Sequence, residues 1–159
     1  MKYYQLMVFR LGGEFYGLDI SNVHSIEKNL TVVHVPNSSP NIKGIINLRN
    51  EIIPVINLKS KFGLNDDGAD RQPHELIIIN LTDNRIALTI DEVEKIYLIT
   101  SDDISDMPPI AKGNGVTYFS GVVKLDDKLA IIVDPTELLS DEEREAVEKI
   151  VDDNAPAVQ

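Results

Sequence analysis

The chain has 159 residues, of which 43% are apolar and 26% charged, with 9 Gly and 8 Pro. This length predicts one domain or two small halves that share a core, and the composition is typical of a soluble globular protein. A net charge of −11 excludes the basic surface that binding to nucleic acids or anionic lipids requires. The absence of cysteine from the sequence excludes disulfides, thiolate nucleophiles and Cys-type zinc sites.

The sequence has no features of secretion or membrane insertion. Residues 1–11 lack the basic start and the small-residue cleavage site of a signal peptide. Every apolar run is far shorter than the roughly 20 residues that a membrane-spanning helix needs. We therefore expect no direct insertion into a membrane.

Short apolar runs rich in β-branched residues alternate with turn signals along the chain. The turn signals Gly12-Gly13, residues 82–84 and Asp126-Asp127 predict three hairpins. The runs predict a mostly β fold. The predicted strands are residues 6–11, 32–35, 42–48, 52–58, 76–81, 86–90, 116–125 and 129–133.

An internal repeat divides the chain into two similar β units. Moving residues 6–26 by 70 positions gives six identities without a gap, among them Val23 with Val93 and Ile26 with Ile96. Moving residues 42–62 by 77 positions aligns a second stretch, so the second unit carries a seven-residue insertion, expected as a loop within 100–115. We expect five strands in each unit, 1–70 and 71–139, closed into a small barrel that leaves few exposed edges, with a crossing at 65–73.

Residues 140–159 are expected to form a helix and a frayed tail. Ser140 and Glu143 have the spacing of a capping box, and an apolar stripe is formed by Ala146, Val147, Ile150 and Val151. This stripe predicts a surface helix that packs on the barrels.

The sequence offers little that is typical of catalysis. None of the three histidines, His24, His34 and His74, has a second ligand at metal-binding spacing. The paired aspartates lie in polar turns or the tail, and Gly12-Gly13 lacks the residues that follow in a phosphate-binding loop. We therefore expect a binding module with no metal and no cofactor, and not an enzyme.

Several stretches together resemble the CheW chemotaxis coupling family. They are FRLGGEFYGLDI at 9–20, VP at 35–36, IKGIINLR at 42–49 and IPVINL at 53–58, and the likeness continues through 87–93, 118–122 and 130–139. The order and spacing are those of the family over nearly the whole chain.

The resemblance implies a mostly β fold of two similar SH3-like five-stranded barrels packed together, with a short C-terminal helix. It also implies a non-enzymatic, cytoplasmic adaptor without a cofactor. Such an adaptor joins the cytoplasmic tips of methyl-accepting chemotaxis receptors to the regulatory domain of the histidine kinase CheA, in arrays at the inner face of the membrane. The alternatives are the CheW-like module of a CheV-type regulatory protein and a divergent paralogue with altered receptor binding.

The resemblance also implies two contact surfaces. Receptor tips are helical hairpins, and we expect the seam between the barrels to offer an apolar groove for them. The residues implied on the receptor side are Val23, Ser25, Ile26, Lys43, Gly44, Arg49 and Asn50, and those on the kinase side are Met107, Pro108, Pro109 and Ile110.

Each surface has a plainer alternative. Val23 and Ile26 are equally well explained as core, Arg49 as a solvated hairpin charge, and the segment at Met107 as a lid over a barrel end. Three positions also depart from the family pattern: Ser25 stands in place of an acid, Asn50 in place of Gly, and Asn57 in place of Asp. The change at Ser25 removes a local partner for Arg49, a role that Glu27 is available to take.

Overall fold

The computed structural model describes residues 2–36, 39–64, 75–107 and 117–153. The predicted crossing at 65–73 and the tail beyond residue 153 lie outside these ranges. Short 3₁₀ turns occupy Ile20–Asn22, Ser101–Asp103 and Pro135–Glu137. The strands and helices are β1 (Tyr3–Leu11), β2 (Glu14–Asp19), β3 (Val23–Lys28), β4 (Ile42–Leu48), β5 (Glu51–Ile56), α1 (Leu58–Lys61), β6 (Glu75–Asn80), β7 (Arg85–Ile90), β8 (Glu92–Thr100), β9 (Ile104–Ser105), β10 (Phe119–Leu125), β11 (Lys128–Val133) and α2 (Asp141–Asp153).

The strands form two sheets, and each sheet draws strands from both copies of the repeat. The six-stranded sheet has the order β8-β1-β2-β11-β10-β9, and the five-stranded sheet has the order β3-β6-β7-β5-β4. Neighbouring strands are antiparallel except β2 with β11 and β5 with β7, which are parallel. Each sheet thus joins the first hairpin of one copy to the third strand and last hairpin of the other. The division into 1–70 and 71–139 follows the repeat, whereas each sheet contains strands from both of these parts.

The repeat is preserved in the detail of the strands. Both ends of β4 and β5 lie 77 positions before those of β10 and β11. The two hairpins also carry a register shift at equivalent places, between Ile42 and Gly44 and between Phe119 and Gly121. The three predicted hairpins are confirmed as β1–β2, β6–β7 and β10–β11. The duplication read from the sequence is therefore a duplication of structure.

Some elements differ from the prediction. Strands β2, β3 and β8 were not among the predicted apolar runs, because polar residues such as His24 and Lys95 interrupt their pattern. Residues 32–35 form no strand but a single bridge from Val33 to Ile45. The predicted loop at 100–115 contains a 3₁₀ turn and β9, which pairs with β10.

The central strands of both sheets are buried on both faces. On β1, Leu6 and Val8 pack inside the curl of their own sheet, while Met7 and Phe9 point into the space between the sheets. The same alternation holds on β6. Because successive side chains point to opposite faces, a run with no polar interruption predicts this double burial.

The seam between the sheets is filled by the protein's own side chains. One cluster of buried residues combines Met7 and Phe9 of the six-stranded sheet with Ile77 and Ile79 of the five-stranded sheet. Val147 of α2 packs into the same cluster. The prediction of an open apolar groove along this seam is therefore wrong, because packing the two sheets together already buries the apolar faces that would line it.

The C-terminal helix forms as predicted. The Ser140 hydroxyl accepts a hydrogen bond from the Glu143 backbone N–H at 3.1 Å, and Glu143 Oε1 accepts one from the Ser140 backbone N–H at 2.9 Å. This is the reciprocal capping box expected from the sequence. Val147 and Ile150 are buried against the shared core, so the apolar stripe of α2 belongs to the fold.

Candidate protein-binding surface

The hairpin between β4 and β5 presents an exposed cation. Arg49 and Asn50 both have positive φ, 50° and 70°, and connect the paired residues Leu48 and Glu51. The Asn50 backbone N–H donates to Asn47 Oδ1 at 2.9 Å, which fixes the turn. Asn tolerates positive φ better than most residues, so the tight turn survives without glycine.

The side chain of Arg49 is available to a partner. It is exposed, and within the described residues it forms neither an ion pair nor a hydrogen bond. No pairing with Glu27 is present in those residues either. Its counterpart in the second copy, Asp126, has nearly the same positive φ of 52°. The fold therefore sets the turn conformation but does not require a cation there.

Gly44 has a structural role. It is buried, and a Cβ at this position would lie 2.1 Å from the carbonyl oxygen of Val33. A glycine is thus needed where the segment at Val33 crosses β4. Gly121 faces Ser105 in the same way, with a hypothetical Cβ 2.9 Å from its carbonyl oxygen. The half-buried Lys43 lies beside Gly44 in the β-bulge.

Strand β3 divides its predicted contact residues between core and surface. Val23 packs against the shared core and pairs with Ile79. Ile26 is 37% exposed. Of the two explanations left open by the sequence, the structure gives Val23 a core position and Ile26 a surface one.

The side-chain oxygen of Ser25 is buried without a hydrogen-bond partner among the described residues. Such groups are rare in folded proteins because they lose their hydrogen bonds to water without replacement. Ser25 also occupies one of the positions that depart from the family pattern. The residue as a whole is half-buried, but its hydroxyl oxygen is not exposed to a partner.

The structure adds two exposed apolar residues that the sequence analysis did not propose as a contact surface. Ile96, the repeat counterpart of Ile26, is 50% exposed, and Leu98 is 70% exposed. The two residues lie two positions apart and hence on the same face of β8, opposite Met7 and Gln5 of β1. The 70-residue repeat was the signal that could have identified Ile96, since it relates this residue to Ile26.

The predicted kinase-side segment is only partly described. Met107 is 6% exposed, so its side chain is not available for contact as expected. Pro108, Pro109 and Ile110 lie outside the described residues. The structure therefore assigns Met107 to packing at the base of the segment.

A buried charge network joins α1 to α2. The Lys61 ammonium pairs with the Glu143 carboxylate, and both side chains are less than a tenth exposed. Asn41 Nδ2 also donates to Glu143 at 2.8 Å. Burial alone would raise the pKa of Glu143, but the hydrogen bonds from Lys61, the Ser140 backbone and Asn41 outweigh it and hold the pKa below its ordinary value. This network was not predictable from the sequence, because Asn41, Lys61 and Glu143 are far apart in the chain.

The described residues contain no group of three or more His, Asp or Glu side chains placed to hold a metal ion. Among the same residues, no helix has both the length and the apolar character needed to cross a membrane.

Comparison with known proteins identifies the family. Residues 5–143 match the family model described as a CheW-like domain. The chain belongs to the CheW-like family. It is 34% identical over 143 residues to the chemotaxis protein CheW of Treponema pallidum (strain Nichols), a match that covers 88% of this chain and 84% of that protein. It is 31% identical over 146 residues to the chemotaxis protein CheW of Klebsiella aerogenes, covering 92% of this chain and 87% of that protein.

A solved CheW structure and a larger chemotaxis protein also match. The crystal structure of the scaffolding protein TtCheW from Thermoanaerobacter tengcongensis superimposes with a TM-score of 0.77 at 33% identity, covering 88% of this chain and 94% of that one. The chemotaxis protein CheA of Treponema pallidum is 27% identical over 137 residues, which is 85% of this chain but 16% of that protein. The fold of two SH3-like units is confirmed, and so is the prediction of a chemotaxis scaffold that is not an enzyme.

Proposed function

We propose that this protein is the adaptor that couples the cytoplasmic tips of methyl-accepting chemotaxis receptors to the regulatory domain of the histidine kinase CheA, at the inner face of the membrane. The observation that carries the proposal is the match of residues 5–143 to the CheW-like domain. Because the seam is closed, we place both contacts on surfaces outside it.

The kinase side of the proposal is supported by the similarity to CheA. A 137-residue part of the Treponema pallidum kinase resembles most of this chain, so that kinase contains a domain related to this one. Because Met107 is buried, we assign the kinase contact to the rest of the predicted segment, Pro108, Pro109 and Ile110.

The receptor side of the proposal rests on exposed apolar side chains and one cation. Ile26 on β3 and Ile96 and Leu98 on β8 offer apolar surface that the fold leaves exposed. A helical receptor tip has apolar ridges that bury such side chains. Arg49 adds a guanidinium that can pair with a carboxylate through two parallel hydrogen bonds.

The remaining predicted receptor-side residues hold or shape the contact surface and do not supply its main contacts. Val23 anchors β3 to the core, and Asn50 holds the turn that presents Arg49. Gly44 is buried and shapes its strand, whereas the half-buried Ser25 and Lys43 lie at the edge of the contact.

The test measures binding of a receptor-tip fragment and of the kinase regulatory domain separately, by isothermal titration calorimetry. We expect Ile26→Ser and Ile96→Ser each to weaken receptor binding about tenfold, because each removes a buried apolar contact. Leu129→Ser is the matched control, since Leu129 is 61% exposed on a different strand.

Unchanged receptor binding in both variants would overturn the receptor surface while leaving the kinase contact intact. Failure of the unmodified protein to bind either fragment would overturn the adaptor proposal as a whole.

A further inference from the structure

The six-stranded sheet has a cavity at one end of its curl. Its volume is about 340 Å³, within the range of small-molecule sites. The walls are mostly apolar and come from all six strands of the sheet. They include Tyr4, Leu6, Ile99, Ile104 and Ile132.

The equivalent position in the other copy of the repeat is spanned by a buried hydrogen bond. There the Leu58 backbone N–H donates to Thr89 Oγ1 at 3.2 Å. The offsets of 70 and 77 relate Thr89 to Asp19 and Leu58 to Pro135, and both of these line the cavity. Proline has no N–H, so this hydrogen bond cannot form in the six-stranded sheet.

The two copies also differ in charge at this position. Asp19 and Asp134 line the cavity, whereas their counterparts Thr89 and Asn57 are neutral. Asp19 uses Oδ1 to accept from the Ser21 backbone N–H at 2.9 Å. Asp134 uses Oδ1 to accept from the backbone N–H of Thr136 at 3.0 Å and from its hydroxyl at 2.7 Å. The Oδ2 atoms of both aspartates accept no hydrogen bond within the described residues.

We propose that this cavity binds a small organic cation with an apolar body, a primary arylalkyl or alkyl ammonium, independently of the adaptor contacts. The apolar body would lie against Tyr4 and the isoleucines, and the ammonium would pair with the Oδ2 atoms of Asp19 and Asp134. Charge-assisted hydrogen bonds in a half-enclosed site are stronger than neutral ones, which selects an amine over an alcohol of the same shape. The repeat supports the assignment because the other copy has a hydrogen bond and no carboxylate at this position.

The experiment is an NMR titration of the full chain, labelled with ¹⁵N, with 2-phenylethylammonium and with its neutral analogue 2-phenylethanol. We expect saturable shifts centred on Ser120, Ile132 and neighbouring cavity residues, with the alcohol at least about tenfold weaker. Asp19→Asn and Asp134→Asn should each weaken amine binding about tenfold. Asparagine is as good a helix-capping residue as aspartate, so both variants should fold. Asp126→Asn removes the same charge from a distant turn and should leave the affinity unchanged.

The absence of saturable shifts at the cavity in the unmodified protein would overturn the site. Equal affinity for the alcohol, or equal effects of Asp126→Asn and the two cavity variants, would overturn the role of the carboxylates. If one cavity variant fails to fold, the other decides between these outcomes.

Discussion

Lys61 and Glu143, 82 residues apart in the chain, form an ion pair that is almost fully removed from solvent. Lys61 ends the short helix α1 after β5, and Glu143 lies in the first turn of α2. The pair therefore ties the C-terminal helix to the five-stranded sheet. The Lys61 ammonium also lies 5.3 Å from the centre of the Tyr118 ring, which links the network to β10 of the other sheet.

Removing the charge of Glu143 should destabilise the fold strongly. In Glu143→Gln the buried Lys61 loses its counter-ion, which costs about 3 kcal/mol of unfolding free energy. Glu148→Gln, on the exposed face of the same helix, is the control and should change stability by less than about 0.5 kcal/mol. Urea unfolding measures the unfolding free energy of both variants. Equal stability of the two variants would mean that the ion pair contributes nothing.

The same network should make stability fall in acid. The pKa of Glu143 lies below its ordinary value of 4.5 in the folded chain, so the stabilisation is present above pH 4.5 and is lost as the pH falls through the folded pKa. The difference in unfolding free energy between the unmodified protein and Glu143→Gln should therefore shrink as the pH falls below 4.5. Urea titrations at a series of pH values test this. A difference in unfolding free energy that stays constant or grows on acidification would contradict the predicted direction of the pH dependence.

Substituting Gly44 should distort the crossing of the chain over β4. In Gly44→Ala the new methyl group meets the backbone oxygen of Val33, so we expect a loss of about 2 to 3 kcal/mol. Gly121→Ala should cost less, because the hypothetical Cβ stands farther from the Ser105 oxygen and its other near contact is a side chain that can shift. Thermal unfolding of the two variants shows which substitution destabilises the fold more. Loss of stability only in Gly121→Ala would be inconsistent with the described geometry.

Reversing the charge of Arg49 should affect binding and not folding. Arg49 is exposed, and glutamate pays the same cost for the positive φ, so Arg49→Glu should change stability by less than about 0.5 kcal/mol. Its affinity for a receptor-tip fragment should fall about tenfold or more, since a cation facing a partner carboxylate becomes a like charge. Lys124→Glu supplies the matched charge reversal on another hairpin. A destabilised Arg49→Glu that binds normally would make Arg49 a structural residue.

The sequence predicted the local structure better than the arrangement of the strands in the two sheets. The turns at Gly12-Gly13 and Asp126-Asp127, the capping box of Ser140 and the correspondence of the two copies all depend on residues close in the chain or on self-similarity. Two repeat copies do not specify whether their hairpins pair within a copy or between copies, so the exchange of strands between the sheets was not predictable. The number of side chains that meet in the seam depends on this exchange. Because the exchange was not predictable, neither was the closure of the seam.

The candidate site was predictable to a similar extent. The turn geometry at Arg49 and the ability of Asn50 to take positive φ followed from residue type alone. The burial of Met107 and Gly44 did not, since each depends on a distant segment folding over it. The repeat related Ile26 to Ile96, but only the packed sheets show that both side chains remain exposed.

The most direct test of the adaptor is a bridging measurement. The kinase regulatory domain is immobilised, a receptor-tip fragment is passed over it, and retention of the fragment is recorded with and without this protein. We predict that the fragment is retained only when the protein is present, and that Ile26→Ser reduces retention while Leu129→Ser does not. Retention without the protein, or no retention with it, would contradict the adaptor function.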